Sequence, residues 1–273
     1  MIGGNHTGII QDTGIISPEE LSEVIKEISI SNFQPNIIRK RISQYINNNR
    51  ISSVDLKNIF ARISSETAIY LYPGETQIFR DISFWKYLLD NPGIAFSGDE
   101  GNRILFFDCP TGEEFYSWEI MRQQYFPEVK IRTKITTQLK SAASIIQRRQ
   151  MSFKKISTLH ALLQHFEREI NIMEYLEQKY NTWFACISPN PEPEISVCDC
   201  LTPFPSNSFS VIFCRNRLIY YREPACKIII SNLFRAIIPG GFFISGTHEN
   251  FELIKAAGFI PVNTSCAIFR KPE

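Results

Sequence analysis

Apolar residues recur at helical spacing in the first quarter of the chain and as short continuous runs in its second half. Leu21, Val24, Ile25 and Ile28 follow Ser17-Pro18-Glu19-Glu20, a capping box with proline at the first helical position, and predict a first helix. A second is predicted from Pro35, with Ile37, Ile38, Ile42, Tyr45 and Ile46 on one side and the Asn47-Asn48-Asn49 run, poor in helix propensity, at its end. A third starts at Ser53 and carries Leu56, Ile59, Phe60 and Ile63. Such a bundle is marginal alone and needs a larger body to pack on.

Near Tyr70 the pattern changes. Tyr72-Pro73-Gly74 is a turn signal, a short aromatic helix holds Phe79, Phe84, Trp85 and Leu88, and Asn91-Pro92-Gly93 turns the chain again. From Arg103 apolar runs alternate with helical stretches. Strands are predicted at Ile104–Phe107, Val129–Ile131, Ile195–Cys198, Phe209–Cys214, Phe242–Ser245 and Cys266–Arg270. Between them lie helices over Glu113–Gln124, over the stretch with Leu139, Ala142, Ala143 and Ile146, and from Pro224 to Ile237, closed by Pro239-Gly240-Gly241. Continuous apolar runs mark strands buried on both faces, and their alternation with helices predicts an α/β fold with a mostly parallel, doubly wound sheet. Met173–Tyr175 and Trp183–Cys186 are candidate strands in a less regular insertion. The predicted organisation is an N-terminal helical domain (1–70), a linker with a short helix (71–102) and an α/β domain (103–273) with an inserted subdomain at 153–194.

Composition narrows the function classes. A formal net charge of +1 gives no field for steering nucleic acid or an anionic membrane. Arg39-Lys40-Arg41 and Arg148-Arg149 read as solvated helix faces. No stretch approaches the ~20 apolar residues of a membrane span, and Met1 to Gln11 lacks the features of a signal peptide. The seven cysteines are odd in number and scattered, and Cys198-x-Cys200 has no second pair at zinc spacing. We therefore expect a cytoplasmic protein with reduced thiols, no metal, no nucleic-acid partner and no membrane span.

Ligands of an open α/β sheet bind at the carboxyl ends of the strands. The first strand leads into Asp108-Cys109-Pro110-Thr111-Gly112-Glu113-Glu114. Without G-x-G-x-x-G this is a weak dinucleotide signal. Thr111 as an N-cap, with acids in the first helical turn, explains it equally well. By pattern alone it is a small-molecule crevice.

Longer blocks go further. Thr111-Gly112-Glu113-Glu114-Phe115-Tyr116-Ser117 resembles the S-T-G-E-E-P-Y-S signature of chemotaxis-receptor (protein-glutamate) methyltransferases. Phe213-Cys214-Arg215-Asn216-Arg217-Leu218-Ile219-Tyr220-Tyr221 is similar to their F-C-R-N-V-L-I-Y-F, and Gly246-Thr247-His248-Glu249-Asn250-Phe251 to G-H-S-E-N-F. Thr76-Gln77-Ile78-Phe79-Arg80-Asp81 resembles T-x-F-F-R-[DE]. These blocks keep the family's order. The resemblance implies a Rossmann-type S-adenosylmethionine methyltransferase domain, with S-adenosylhomocysteine as product and a chemoreceptor-like signalling protein as substrate. It implies that Thr76 and Arg80 lie at the methionine end of the cofactor, Arg80 also facing the reacting glutamate. Thr111, Gly112 and Glu113 would form the loop there, with Glu113 on the amino group. Arg215, Asn216 and Arg217 would line the adenosine side, and Tyr220 would orient the substrate carboxylate.

The chain also departs from the family pattern. Aligning Arg132-Thr133-Lys134-Ile135-Thr136 with T-D-I-[DS] puts Lys134 where an acid holds the ribose hydroxyls, and an ammonium has no acceptor for them. Losing such an ionised acceptor costs about 1.5–3 kcal/mol. The family's N-L-L, whose asparagine reaches the adenosine, falls near Asp199-Cys200-Leu201-Thr202, where no asparagine is present and Asp199 could accept from the adenine amino group only if the loop shifts. Phe107-Asp108 replace small residues before the loop, so Asp108 either occludes the pocket or supplies the missing ribose acceptor. Two readings follow: an active methyltransferase with an altered cofactor site, or a non-catalytic relative that uses the fold as a binding module.

Overall fold

The computed structural model describes residues 32–49, 77–96, 103–151, 172–180 and 182–273. The helices predicted from Ser17 and Ser53, the Tyr72-Pro73-Gly74 turn and Thr76 lie outside them. Two compact units divide the chain, Met1–Leu71 and Tyr72–Glu273. In the first, helix α1 (Pro35–Asn49) begins on the predicted proline, runs into the asparagine tract and buries Ile38 and Ile42.

The second unit opens with α2 (Ile82–Asp90) and the single turn α3 (Pro92–Ala95). Alternating strands and helices follow: β1 (Arg103–Phe106), α4 (Glu113–Tyr125), β2 (Arg132–Thr137), α5 (Lys140–Gln147) and the two-residue β3 (Gln150–Met151). Then come β4 (Leu176–Lys179), β5 (Thr182–Ala185), β6 (Glu194–Val197), β7 (Phe209–Cys214), α6 (Glu223–Ala236), β8 (Ile237–Ser245), α7 (Phe251–Ala256), β9 (Ile260–Asn263) and β10 (Ile268–Arg270). A seven-stranded sheet has the order β6-β2-β1-β7-β8-β10-β9, and β3-β5-β4 form a small antiparallel sheet of their own. All pairings in the large sheet are parallel except those of β10, which runs against both β8 and β9. The chain builds outward from β1 to β2 and β6, then crosses to β7 on the other side. Strand order therefore reverses between β1 and β7, and the loops leaving them diverge.

Three elements differ from expectation. The second strand is not Val129–Ile131 but Arg132–Thr137, whose threonines and lysine hid it from a search for apolar runs. Its β-branched residues suit a strand paired on both sides. Met173–Tyr175 belongs to a 3-10 turn, and the strand follows it at Leu176. Pro239-Gly240-Gly241 lies within β8, where the pairing with β7 shifts register. Gly240 there has φ 73°, and a Cβ on Gly241 would sit 2.7 Å from the Ser210 carbonyl oxygen, so side chains are excluded at this approach.

Aromatic residues fill the core beneath the switch point. The fully buried Phe213 on β7 stacks on Phe106 of β1 (4.7 Å between centroids) and packs against Phe84, Trp85 and Trp118 within 6.5 Å. Each such ring contributes both buried area and edge or face contacts. Phe213→Ala is expected to lower stability by about 3–5 kcal/mol, read as a reduced urea midpoint with unchanged slope.

Candidate functional site

The loop leaving β1 is fixed by its neighbours before any ligand is considered. Phe107 N donates to the Phe213 carbonyl at 2.8 Å, Asp108 N to Thr136 Oγ1 at 3.0 Å and Cys109 N to the Thr136 carbonyl at 2.7 Å. Gly112 precedes α4 with φ 93°, and a Cβ there would meet the Tyr116 ring at 2.6 Å. Glycine is thus required twice, by backbone and by space. Glu113, fully buried in the first turn of α4, accepts a hydrogen bond from Thr111 Oγ1 at 2.5 Å. Ser117 Oγ, one turn on, accepts from Phe79 N at 2.7 Å and draws the segment before α2 onto α4.

At the end of β7, Arg215, Asn216 and Arg217 point to three different places. Arg215 pairs with Asp81 (2.7 Å) and Glu114 (3.0 Å), donates to the Arg80 carbonyl at 3.2 Å and lies 4.1 Å above the Phe84 ring. It clamps the backbone that carries the half-buried Arg80 rather than lining the crevice itself. Asn216, left-handed at φ 53°, abuts Gly246, where a Cβ would come within 2.5 Å of its Oδ1. That Oδ1 is buried and has no hydrogen-bond partner. Arg217 turns the other way, into the crevice.

There it meets Asp108. The two side chains are 3% and 1% exposed, and Arg217 Nη2 and Nε reach Asp108 Oδ2 at 2.5 and 3.0 Å. The Tyr221 hydroxyl donates to the same oxygen, and Gln138 Nε2 donates to Oδ1 at 3.1 Å and to the Tyr221 hydroxyl at 2.6 Å. Burial alone would lower the Arg217 pKa, but the adjacent Asp108 carboxylate overrides this and raises it. Burial, and then the same carboxylate, pushes the Tyr221 hydroxyl well above its ordinary value. The group is charge-neutral, internally bonded and almost dry.

Lys134 is not at the end of its strand. It lies opposite Leu105 and Glu194 in the middle of β2 and forms an ion pair with Glu194, whose pKa that hydrogen bond lowers. With β2 running on to Thr137, the residue at its carboxyl end is Gln138. Gln138-Leu139-Lys140 thus stands where the aspartate of D-I-[DS] was sought. Cys200 is buried near Asp108 and Tyr221, with burial pushing its thiol up to about 12, whereas Asp199 is exposed and its Oδ1 accepts from Leu201 N at 2.7 Å. Tyr220 is half-buried in a 3-10 turn (Leu218–Tyr220), 5.4 Å beneath the Arg217 guanidinium. Gln138, Tyr221 and Glu249 were not singled out from the sequence. Tyr221 carried a signal, since it replaces the phenylalanine that ends F-C-R-N-V-L-I-Y-F.

Glu249 closes the site from β8. Its carboxylate accepts from Arg217 N (2.7 Å) and Leu218 N (3.0 Å), and its Oε2 is buried without a partner. Burial raises its pKa from 4.5 to about 7 against the pull of those N–H donors. On the opposite side, at the amino ends of the strands, Arg103, Arg132, Lys134, Glu194 and Phe209 line a separate cavity of about 440 Å³. No group of three or more potential metal ligands occurs among the described residues, nor any helix long and apolar enough to cross a membrane.

The crevice fits S-adenosylmethionine at one end and not at the other. Glu113 and the Thr111-Gly112 loop suit an ammonium group, and the orphaned Asn216 Oδ1 is an acceptor in search of a donor. At the nucleoside end, a carboxylate offers about four acceptor positions. Both Arg217 nitrogens and Tyr221 crowd Asp108 Oδ2 and Gln138 takes one position on Oδ1, so at most one acceptor position is left for the two ribose hydroxyls.

Residues 75–266 match the family described as "CheR methyltransferase, SAM binding domain". Chemotaxis protein methyltransferase 2 of Vibrio cholerae is 23% identical over 195 residues, which cover 67% of this chain and 64% of that protein. This chain therefore spans under two thirds of that relative's length. Similar solved structures include the N-methyltransferase NodS of Bradyrhizobium japonicum with S-adenosylhomocysteine (12% identity, 71% of this chain and 91% of that one, TM-score 0.39). Another is geranyl diphosphate C-methyltransferase of Streptomyces coelicolor (12% identity, 67% and 59%, TM-score 0.39).

Two stability predictions follow from these contacts. Asp108→Ala removes the carboxylate that pairs with the buried Arg217 guanidinium, and should cost about 3–5 kcal/mol in chemical denaturation. For Glu249, a pKa raised on folding means stability that is present below pH 4.5 and lost as pH rises to about 7. Glu249→Gln, which does not titrate, should gain on the wild type by roughly 1–3 kcal/mol between pH 4.5 and 7.5 in paired urea melts.

Proposed function

Because the chain belongs to the CheR methyltransferase, SAM binding domain family, we propose that it moves the methyl group of S-adenosylmethionine to a glutamate carboxylate of a chemoreceptor-like signalling protein. S-adenosylhomocysteine is the product. The observation that carries this reading is the Thr111-Gly112-Glu113 loop, held open by a left-handed glycine at the point where strand order reverses.

When bound, the cofactor supplies an electrophilic methyl group on a sulfonium. A glutamate acceptor is already ionised at neutral pH, so no general base is required. What remains for the protein is alignment and exclusion of water. Glu113 takes the ammonium of the methionine moiety. Arg80, whose carbonyl is held by Trp85 Nε1 (2.9 Å) and Arg215, presents its guanidinium to the acceptor carboxylate. Tyr220 orients that carboxylate from the facing turn.

The Asp108–Arg217 pair supports a second reading, a member that keeps the fold as a binding module without turnover. Transfer of radiolabelled methyl groups at millimolar S-adenosylmethionine distinguishes them. Base-labile label on a receptor cytoplasmic fragment is expected, reduced at least tenfold in Glu113→Ala through a higher KM for the methyl donor. No label on any carboxylate substrate at that concentration would leave the binding-module reading standing.

A further inference from the structure

We propose that the Asp108–Arg217–Tyr221–Gln138 network is an internal occupant of the nucleoside subsite, which cofactor must displace in order to bind. The proposal rests on the reading of the switch-point crevice as the cofactor site.

The place of the network is the first ground. Its four members come from the carboxyl end of β1, the carboxyl end of β2 and the segment after β7. β1 and β7 flank the order reversal and β2 lies next to β1, so the network sits at the carboxyl-end position where ligands of such a sheet bind. The second ground is composition. Each member is a departure from the motifs quoted above: Asp108 for a small residue, Gln138 for the aspartate of D-I-[DS], Arg217 for the valine and Tyr221 for the phenylalanine of F-C-R-N-V-L-I-Y-F. Four departures, spread over more than a hundred residues of sequence, converge on one carboxylate. Had they been independent losses of function, nothing would bring their polar atoms within hydrogen-bond distance of one another.

Backbone geometry is the third ground. Asp108 sits at φ 52°, a left-handed conformation that a glycine takes freely and aspartate tolerates better than most residues. Its side chain thus projects from a backbone built for close approach to a ligand. The fourth is bonding capacity. With three donors on Oδ2 and one on Oδ1, the Asp108 carboxylate cannot receive both ribose hydroxyls while the pair is closed. Gln138 and Tyr221 are turned onto Asp108 as well. Binding must break a buried, nearly solvent-free ion pair, and that work is subtracted from the cofactor's affinity.

The experiment removes both charges together, because either single change strands the other. In Asp108→Gly/Arg217→Val the Tyr221 hydroxyl keeps Gln138 as its partner, so no ionised group is left buried alone. Isothermal titration with S-adenosylhomocysteine, and the ligand-induced rise in melting temperature, are measured on this variant and on the wild type. Circular dichroism and melting without ligand establish that the variant folds, and Asp108→Ser/Arg217→Ala, which likewise removes both charges and the Arg217 bulk, replaces it if it does not. Binding at least tenfold tighter in the variant supports an internal occupant. Less than tenfold gain with measurable wild-type binding overturns it while leaving the cofactor reading intact. Absence of binding in both folded proteins overturns the occupant and the cofactor reading together.

Discussion

Where strand order reverses between β1 and β7, two loops leave the sheet in opposite directions and uncover backbone and side-chain polar groups that the sheet cannot satisfy. Asp108, Glu113, Asn216, Arg217 and Glu249, all buried, are arranged around that opening. Below it, Phe213, Phe106, Trp85 and Trp118 form a packed aromatic floor. Above it, the chain must supply its own donors and acceptors or borrow them from a ligand. At the Asp108 end it supplies its own.

The fold was largely legible in the sequence, because a parallel sheet buried on both faces leaves continuous apolar runs. Phe209–Cys214 is the clearest instance, predicted and observed over the same residues. β2 escaped for the converse reason. Its threonines satisfy the strand geometry through β-branching, and Lys134 through its ion pair with Glu194 on β6, rather than through apolarity. That slip propagated. Placing the strand too early put Lys134 at the crevice, whereas Gln138 is the residue that reaches it. The motif blocks pointed to a candidate site, but no one-dimensional pattern could show that Asp108, Arg217 and Tyr221, up to 113 positions apart, share a single oxygen atom. Pairing of that kind is a property of three-dimensional proximity.

Buried ion pairs rarely add net stability over an apolar replacement, since desolvation consumes most of their attraction. The Asp108–Arg217 pair is therefore poorly explained as a device for holding the fold together, which the aromatic floor already does. It is better understood by where it sits. Glu249 makes a related point from the other side, its carboxylate anchored by the N–H groups of Arg217 and Leu218 and pushed by burial to titrate near neutrality. The loop that carries Arg217 is thus gripped at its backbone by one acid and at its guanidinium by another.

Arg215, Asn216 and Arg217 are consecutive, yet each side chain serves a different neighbour: Arg215 the 80–85 segment and α4, Asn216 the Gly246 loop, Arg217 the crevice. Such separation of duties within a tripeptide makes the site modular in evolutionary terms. A lineage can exchange the third residue together with Asp108, and so retune or silence the pocket, while the first two go on holding the scaffold. Descendants that differ in ligand habit can consequently retain indistinguishable frameworks.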